Sequence, residues 1–207
     1  MSEFVKRRKK EFFYLKAKEE KYRARSAYKL LDLQKKFHLI KQGDFVIDCG
    51  AAPGSWSQVA MQFVGDSGKV LAIDILPVSQ LSGSFTFLKA NLMKPDIIDK
   101  IKELMDKPAD LVMSDAAPEF SGIRMMDIGR AMDLNLAILE IAKKILKTGG
   151  NFVCKAFQGS DFQDFVKEVR KIFKDVHLEK PEASLKESAE VYIVALKLKK
   201  EMNKQRE

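Results

Sequence analysis

The stretch Phe45-Val46-Ile47-Asp48-Cys49, running into Gly50-Ala51-Ala52-Pro53-Gly54-Ser55-Trp56, decides how the rest of the chain is read. A short apolar run gives way to small residues and then to a helical segment, the pattern of a strand turning into a helix. Small residues at the carboxyl end of a strand let the backbone approach a ligand, and open α/β sheets bind cofactors there. The spacing is not the G-x-G-x-x-G of dinucleotide enzymes, and Pro53 interrupts the loop. A cofactor without phosphates is therefore favoured over a pyrophosphate. Asp74 closes the next apolar run, about twenty residues further on, where a carboxylate can accept both hydroxyls of a ribose. Loop and carboxylate together point to a nucleoside cofactor.

Working outward, apolar runs alternate with helical segments, which signals a parallel sheet with crossover helices. Strands are expected at Phe45–Cys49, Lys69–Asp74, Phe85–Lys89, Leu111–Ser114, Gly150–Ala156, His177–Lys180 and Val191–Leu198. Helices are expected near 55–64, 96–106, 127–147 and 161–173, with Gly149-Gly150 ending the longest. Segment 181–190 is too short for a crossover helix, so the last two strands should be antiparallel neighbours at one sheet edge. Ahead of the sheet, 11–23 reads as helical and Ser26 as the N-cap of a helix reaching about Phe37.

Further polar groups fall at strand ends. Asn91, after the third strand, could hydrogen-bond an adenine edge or simply form a turn. Ser114-Asp115-Ala116-Ala117-Pro118 puts a carboxylate at the same sheet edge as the Gly50–Gly54 loop. Lys155 lies within the apolar run Phe152–Phe157, where burying an ammonium is costly unless it is paired or functional. Desolvation beside a second cation helps an ammonium release its proton near neutral pH, which fits a lysine for proton transfer. The alternative is a lysine whose stem packs while its head reaches water. Glu190, just before Val191-Tyr192, could pair with it.

Composition narrows the class. With 207 residues, 46% of them hydrophobic, the chain suits one buried domain over 1–207, and 199–207 reads as a disordered tail. No apolar run is long enough for a membrane span and no signal-like segment follows the charged start, so a soluble cytoplasmic protein is expected. Cys49 and Cys154 sit in apolar runs without metal-ligand spacing, and no metal site is expected. Of the net +8, nearly all lies in residues 1–29, where eleven Lys or Arg face four Glu. Phe4, Phe12, Phe13, Tyr14, Tyr22 and Tyr28 are threaded through this arm, a combination suited to a nucleic-acid partner. Nothing in the pattern demands more than a monomer.

Over Phe12 to Leu198 the chain resembles the FtsJ/RrmJ-type (RlmE family) ribose 2′-O-methyltransferases. The likeness rests on Tyr22-Arg23-Ala24-Arg25-Ser26-Ala27-Tyr28-Lys29-Leu30, the Asp48–Trp56 loop, Ser114-Asp115 with Ala117-Pro118, Lys155 on its strand, and Ser188-Ala189-Glu190-Val191-Tyr192. The resemblance implies a Rossmann-like S-adenosylmethionine methyltransferase fold: seven strands, mostly parallel, one antiparallel edge strand, and helices on both faces. It implies a catalytic tetrad at Lys29, Asp115, Lys155 and Glu190, and cofactor contacts from Gly54, Trp56, Asp74, Asn91 and Asp115. Glu187 competes with Glu190, which fits better because it directly precedes Val-Tyr. Asn91 and Glu119 depart from the Asp and Asn common among relatives. The implied substrate is structured RNA, with large-subunit rRNA preferred and a tRNA anticodon loop as the alternative. Lys155 would accept the hydroxyl proton or, as a cation, stabilise the developing alkoxide. A non-catalytic RNA-binding or ribosome-assembly factor and a nicotinamide oxidoreductase are the competing classes.

Overall fold

The computed structural model describes residues 3–118, 121–184 and 188–200. Glu119, Glu187 and the tail 201–207 lie outside the described residues. In chain order the elements are α1 (Glu3–Glu19), α2 (Ala27–Phe37), β1 (Phe45–Cys49), α3 (Ser55–Val64), β2 (Lys69–Asp74), β3 (Phe85–Lys89) and α4 (Ile97–Glu103). They continue with β4 (Ala109–Ser114), α5 (Arg124–Ile145), β5 (Leu146–Phe157), α6 (Phe162–Ile172), β6 (Phe173–Glu179) and β7 (Glu190–Leu198). All seven strands form one sheet in the order β3-β2-β1-β4-β5-β7-β6. The chain starts at β1 in the middle and winds outward on both sides, so the β1 loop faces the crevice where the strand order reverses.

Helices cover both faces. Side chains of α4, α5 and α6 pack with Ile47, Leu71, Val112 and Cys154 on one face. On the other, Leu30 and Leu33 of α2 and Trp56 and Val59 of α3 pack with Val46, Val70, Met113, Val153 and Tyr192. Because side chains alternate along a strand, Lys155 projects on the same face as Val153, toward α2 and α3. Outside this layer, α1 contributes the buried Ala17, with the half-buried Phe13, against Tyr28 and Ala183.

The antiparallel pair at the sheet edge forms as expected, but β7 is the reversed strand and lies one place in, between β5 and β6. The physical reason is burial. Val191 to Ala195 are all buried and require partners on both sides, whereas β6 alternates with exposed Lys174, Asp175 and His177 and tolerates an open edge. Some boundaries move as well. Helix α5 ends at Ile145, and Gly149-Gly150 belong to an irregular start of β5 instead of ending the helix. There Ala109 pairs with Leu146 but Leu111 with Asn151, so 147–150 bulges out of register, with Gly149 at φ 82°. Strand β6 begins at Phe173, earlier than expected, and α1 runs from Glu3 to Glu19 instead of 11–23. Ser26 does precede α2, yet its hydroxyl meets Ser55 Oγ at 2.7 Å and caps no backbone group.

Candidate active site

Four elements bring one polar cluster together. Strand β4 ends at Ser114 and presents Asp115 at the carboxyl edge. In the β5–β7 ladder Lys155 stands opposite Tyr192, and Phe157 opposite Glu190, so Lys155, Tyr192 and Glu190 share a face. Lys29 enters from the first turns of α2. Its Nζ lies 2.8 Å from Glu190 Oε1 and 3.7 Å from Asp115 Oδ1, and donates to the Tyr192 hydroxyl at 2.8 Å. Lys155 Nζ donates to the Asp115 carbonyl at 2.6 Å and lies 3.2 Å from Asp115 Oδ1. Tyr192 in turn donates to Asp115 Oδ1 at 2.5 Å, and Ser184 Oγ donates to Glu190 Oε1 at 2.8 Å. The expected tetrad Lys29, Asp115, Lys155 and Glu190 is therefore a single cluster.

Both lysines are buried, at 7% and 9% exposure, and burial is tolerable only because two ammonium and two carboxylate groups compensate each other. Burial alone would raise the Glu190 carboxyl. The Lys29 charge and hydrogen bond, with Ser184 and the Lys155 charge, outweigh it and hold the group below the ordinary carboxylate range. Burial, reinforced by Asp115 and Glu190, pushes the Tyr192 phenol well above its usual value. Tyr192 thus stays neutral and serves as an O–H donor. Trp56 supports it, stacked at 5.8 Å between ring centres, while the indole N–H donates to the Ser26 carbonyl at 2.9 Å.

Beside this cluster is a cavity of about 480 Å³ whose walls include Gly50, Ala52, Asp74, Ile75, Leu76, Asn91, Leu92 and Asp115. Asp74 accepts from Ala52 N through Oδ2 and from Leu76 N through Oδ1, both at 2.8 Å. Each oxygen keeps a lone pair for a further donor. Asn91 Oδ1 accepts from Met93 N at 2.9 Å, so this residue forms a turn and also lines the cavity. Of the expected cofactor residues, Asp74, Asn91 and Asp115 line the cavity. Gly54 and Trp56 do not: Gly54 lies against Arg23 and Val78, and the Trp56 side chain is buried beneath the cluster. Lys155 and Glu190 lie outside the lining too, and Asp115 joins the two groups.

Three residues quoted within the sequence motifs, but given no role of their own there, take part. Tyr192 sits two residues past Glu190 on the same face, so strand alternation carried the signal. Gly50 carries φ 73°, and a Cβ there would stand 2.3 Å from Ala116 Cβ, so only glycine lets the loop close against the Asp115–Ala116 backbone. Asp48 is fully buried at the end of β1. Its Oδ2 accepts from Ser57 Oγ at 2.7 Å, while Oδ1 has no hydrogen-bond partner among the described residues. Burial pushes its carboxyl up to about 7, against the Ser57 bond and helped by the charges of Asp115 and Asp74. The folded chain therefore holds this proton above the pH at which the unfolded chain releases it, and stability is lost as pH rises from about 4 toward 7. Asp48→Asn is expected to flatten that part of the melting-temperature profile between pH 4.5 and 8. A profile parallel to the wild type would show that Asp48 ionises normally.

The chain matches the family model for FtsJ-like methyltransferases over residues 22–198. Among its relatives, a protein of Methanothrix thermoacetophila named ribosomal RNA large subunit methyltransferase E is 46% identical over 93% of this chain and 74% of its own length. A protein of the same name from Archaeoglobus fulgidus is 43% identical over 93% of this chain and 98% of its own. Among solved structures, a Plasmodium falciparum protein described as a ribosomal RNA methyltransferase superposes with a TM-score of 0.75 at 27% identity, covering 86% of this chain and 98% of its own. The match runs from the connector before α2, through the cavity loop and the lysine-carboxylate cluster, to the last strand, and the chain belongs to the FtsJ-like methyltransferase family.

Proposed function

We propose that the protein transfers the methyl of S-adenosylmethionine to a ribose 2′-hydroxyl of RNA, with a uridine of large-subunit ribosomal RNA as the substrate. The observation that carries this reading is the double membership of Asp115. One carboxylate both lines the nucleoside-sized cavity and holds the Lys29–Lys155–Tyr192 cluster. The cavity lies within the roughly 300–1,000 Å³ usual for small-molecule sites, and its donor set fits a nucleoside. Asp74 can take the ribose hydroxyls, Ile75 and Leu92 offer apolar surface for a base, and Asn91 offers an amide for the base edge. Gly54 and Trp56, outside the lining, would act indirectly, Gly54 through the loop it shares with Gly50 and Ala52 and Trp56 by supporting Tyr192. When bound, S-adenosylmethionine supplies an electrophilic methyl on its sulfonium.

The chain's own task is then to align a hydroxyl oxygen behind that methyl and manage its proton, and alignment alone can lower such a barrier by roughly 7–11 kcal/mol. Lys155 donates to the Asp115 carbonyl and pairs with Asp115 Oδ1 at 3.2 Å, and its remaining position would meet the 2′-hydroxyl. If that position is a lone pair, Lys155 accepts the proton; if it is an N–H, it stabilises the alkoxide. Lys29 and Glu190 fix the charge balance around it. Lys155→Arg separates the two, since a guanidinium keeps a charge and N–H donors but does not accept the proton.

Helix α1 supports RNA as the partner. It exposes Phe12, Tyr14 and Leu15 in a segment rich in Lys and Arg, and its chain leads directly to Lys29. The names of the relatives support ribosomal RNA over tRNA. The test is incubation with labelled S-adenosylmethionine and, separately, unmethylated large-subunit rRNA, large subunits or tRNA, followed by ribose-methylation mapping. One labelled ribose in large-subunit RNA is expected. Label only in tRNA would move the substrate to the anticodon loop, and no label with RNA retained would make the protein a binding factor.

A further inference from the structure

Between α1 and α2, the segment 21–26 carries two arginines of the basic arm 1–29, whose charge suits a nucleic-acid partner. Arg23 is engaged elsewhere. Its Nη1 donates to the Pro53 carbonyl at 3.2 Å and its Nη2 to the Gln80 carbonyl at 3.0 Å. Pro53 belongs to the loop that contributes Gly50 and Ala52 to the cavity. Gln80 belongs to the loop after β2 that contributes Ile75 and Leu76. From the inside, Asp74 bridges the same two loops through Ala52 N and Leu76 N; from the outside, one guanidinium bridges them through two carbonyls.

Three further observations bear on this bridge. A Cβ on Gly54 would stand 2.4 Å from Arg23 Nη1, so the guanidinium rests directly on the glycine of the loop. The Arg23 backbone is itself fixed, its N–H donating to Gln58 Oε1 at 2.7 Å while Gln58 Nε2 donates to the Lys21 carbonyl at 3.1 Å. Gln80 is held in turn, donating through Nε2 to the Phe85 carbonyl at 3.1 Å. A planar fork with fixed donors can span two carbonyls; a lysine ammonium at this position can reach one.

We propose that Arg23 is a positioning residue that braces the two loops walling the cofactor cavity, so that cofactor affinity depends on it through their backbones. The inference rests on the cofactor reading above. An arginine of a basic arm is ordinarily a phosphate ligand; here each terminal nitrogen donates to a loop carbonyl, and the expected defect is in cofactor binding instead of RNA binding.

The experiment is calorimetric titration of S-adenosylmethionine into the full chain without RNA, with steady-state kinetics alongside, for wild type, Arg23→Ala and Arg23→Lys. Arg23→Ala is expected to raise Kd and KM for the cofactor about 10-fold, with kcat at saturating cofactor and KM for RNA within about twofold of wild type. Arg23→Lys keeps the charge and one bond, folds where alanine fails, and falls between the two. An unchanged cofactor Kd, or a loss confined to the KM for RNA, overturns the brace. A wild-type chain that binds no S-adenosylmethionine removes the cofactor reading and the brace with it, whereas binding that ignores Arg23 removes the brace alone.

Discussion

Lys155→Ala is expected to lower kcat for methyl transfer by about 10²- to 10⁴-fold while leaving the cofactor Kd within a factor of about three. The separation follows from geometry. Lys155 is not among the residues lining the cavity and donates to Asp115, which is, whereas on the proposed reading its nitrogen meets the hydroxyl. Removing it also leaves Asp115 with one ammonium fewer, and breaking a buried ion pair costs about 3–5 kcal/mol, so some loss of melting temperature accompanies the lost rate. Lys155→Met, which keeps the stem and refills the space, separates the two effects: stability should recover in part and rate should not. Single-turnover transfer at the wild-type rate in either variant would remove Lys155 from the reaction.

Gly50→Ala is expected to damage both binding and stability, because the added methyl has nowhere to go. It would stand 2.3 Å from Ala116 Cβ and 3.3 Å from Ala116 Cα, at a backbone angle of φ 73°. A left-handed conformation costs an L-residue roughly 1–2 kcal/mol, and overpacking adds about 1–3 kcal/mol. For a chain of this size each kcal/mol lowers the melting temperature by roughly 2–4 °C, so a drop near 10 °C is expected. The loop is also held to β2, with Gly50 N and Ala51 N both donating to the Ile73 carbonyl, and cannot retreat without losing those bonds. It must push Ala116, and Asp115 with it, away from the cavity. Calorimetry should show a cofactor affinity at least about 10-fold weaker; a variant that melts and binds as the wild type does would mean that the two loops are not in contact.

The parts of the fold visible in the sequence are those where pattern and burial agree. β1 and β2 are apolar runs closed by small or charged residues, and both bounds stand as read. Strand β6 was harder because an edge strand has little to bury; Lys174, Asp175 and His177 break its apolar run, and the start at Phe173 merges with the amphipathic pattern of α6. Lys155 was legible because a charge inside an apolar strand needs a reason. Glu190 was legible as a carboxylate for Lys155 and took its tetrad role from the resemblance; with Glu190 opposite Phe157 in the ladder, its ion pair is made to Lys29 instead. Tyr192 was not legible as a site residue, since a tyrosine among valines reads as core until pairing shows which charges its hydroxyl meets. Arg23 was invisible for another reason: a guanidinium seeks phosphate and carbonyl oxygen alike, and composition does not say which oxygen folding brings to it.

The position of β7 has a consequence for how the protein matures. Lys29 and Glu190 meet although they lie 161 positions apart in the sequence, and Glu190 opens the last strand of the sheet. Every residue lining the cavity precedes β5, yet without β7 Lys29 lacks its nearest carboxylate and Lys155 lacks its neighbour across the ladder. The lysine–carboxylate cluster is thus completed by the strand made last, and a chain stopped before β7 should transfer no methyl group.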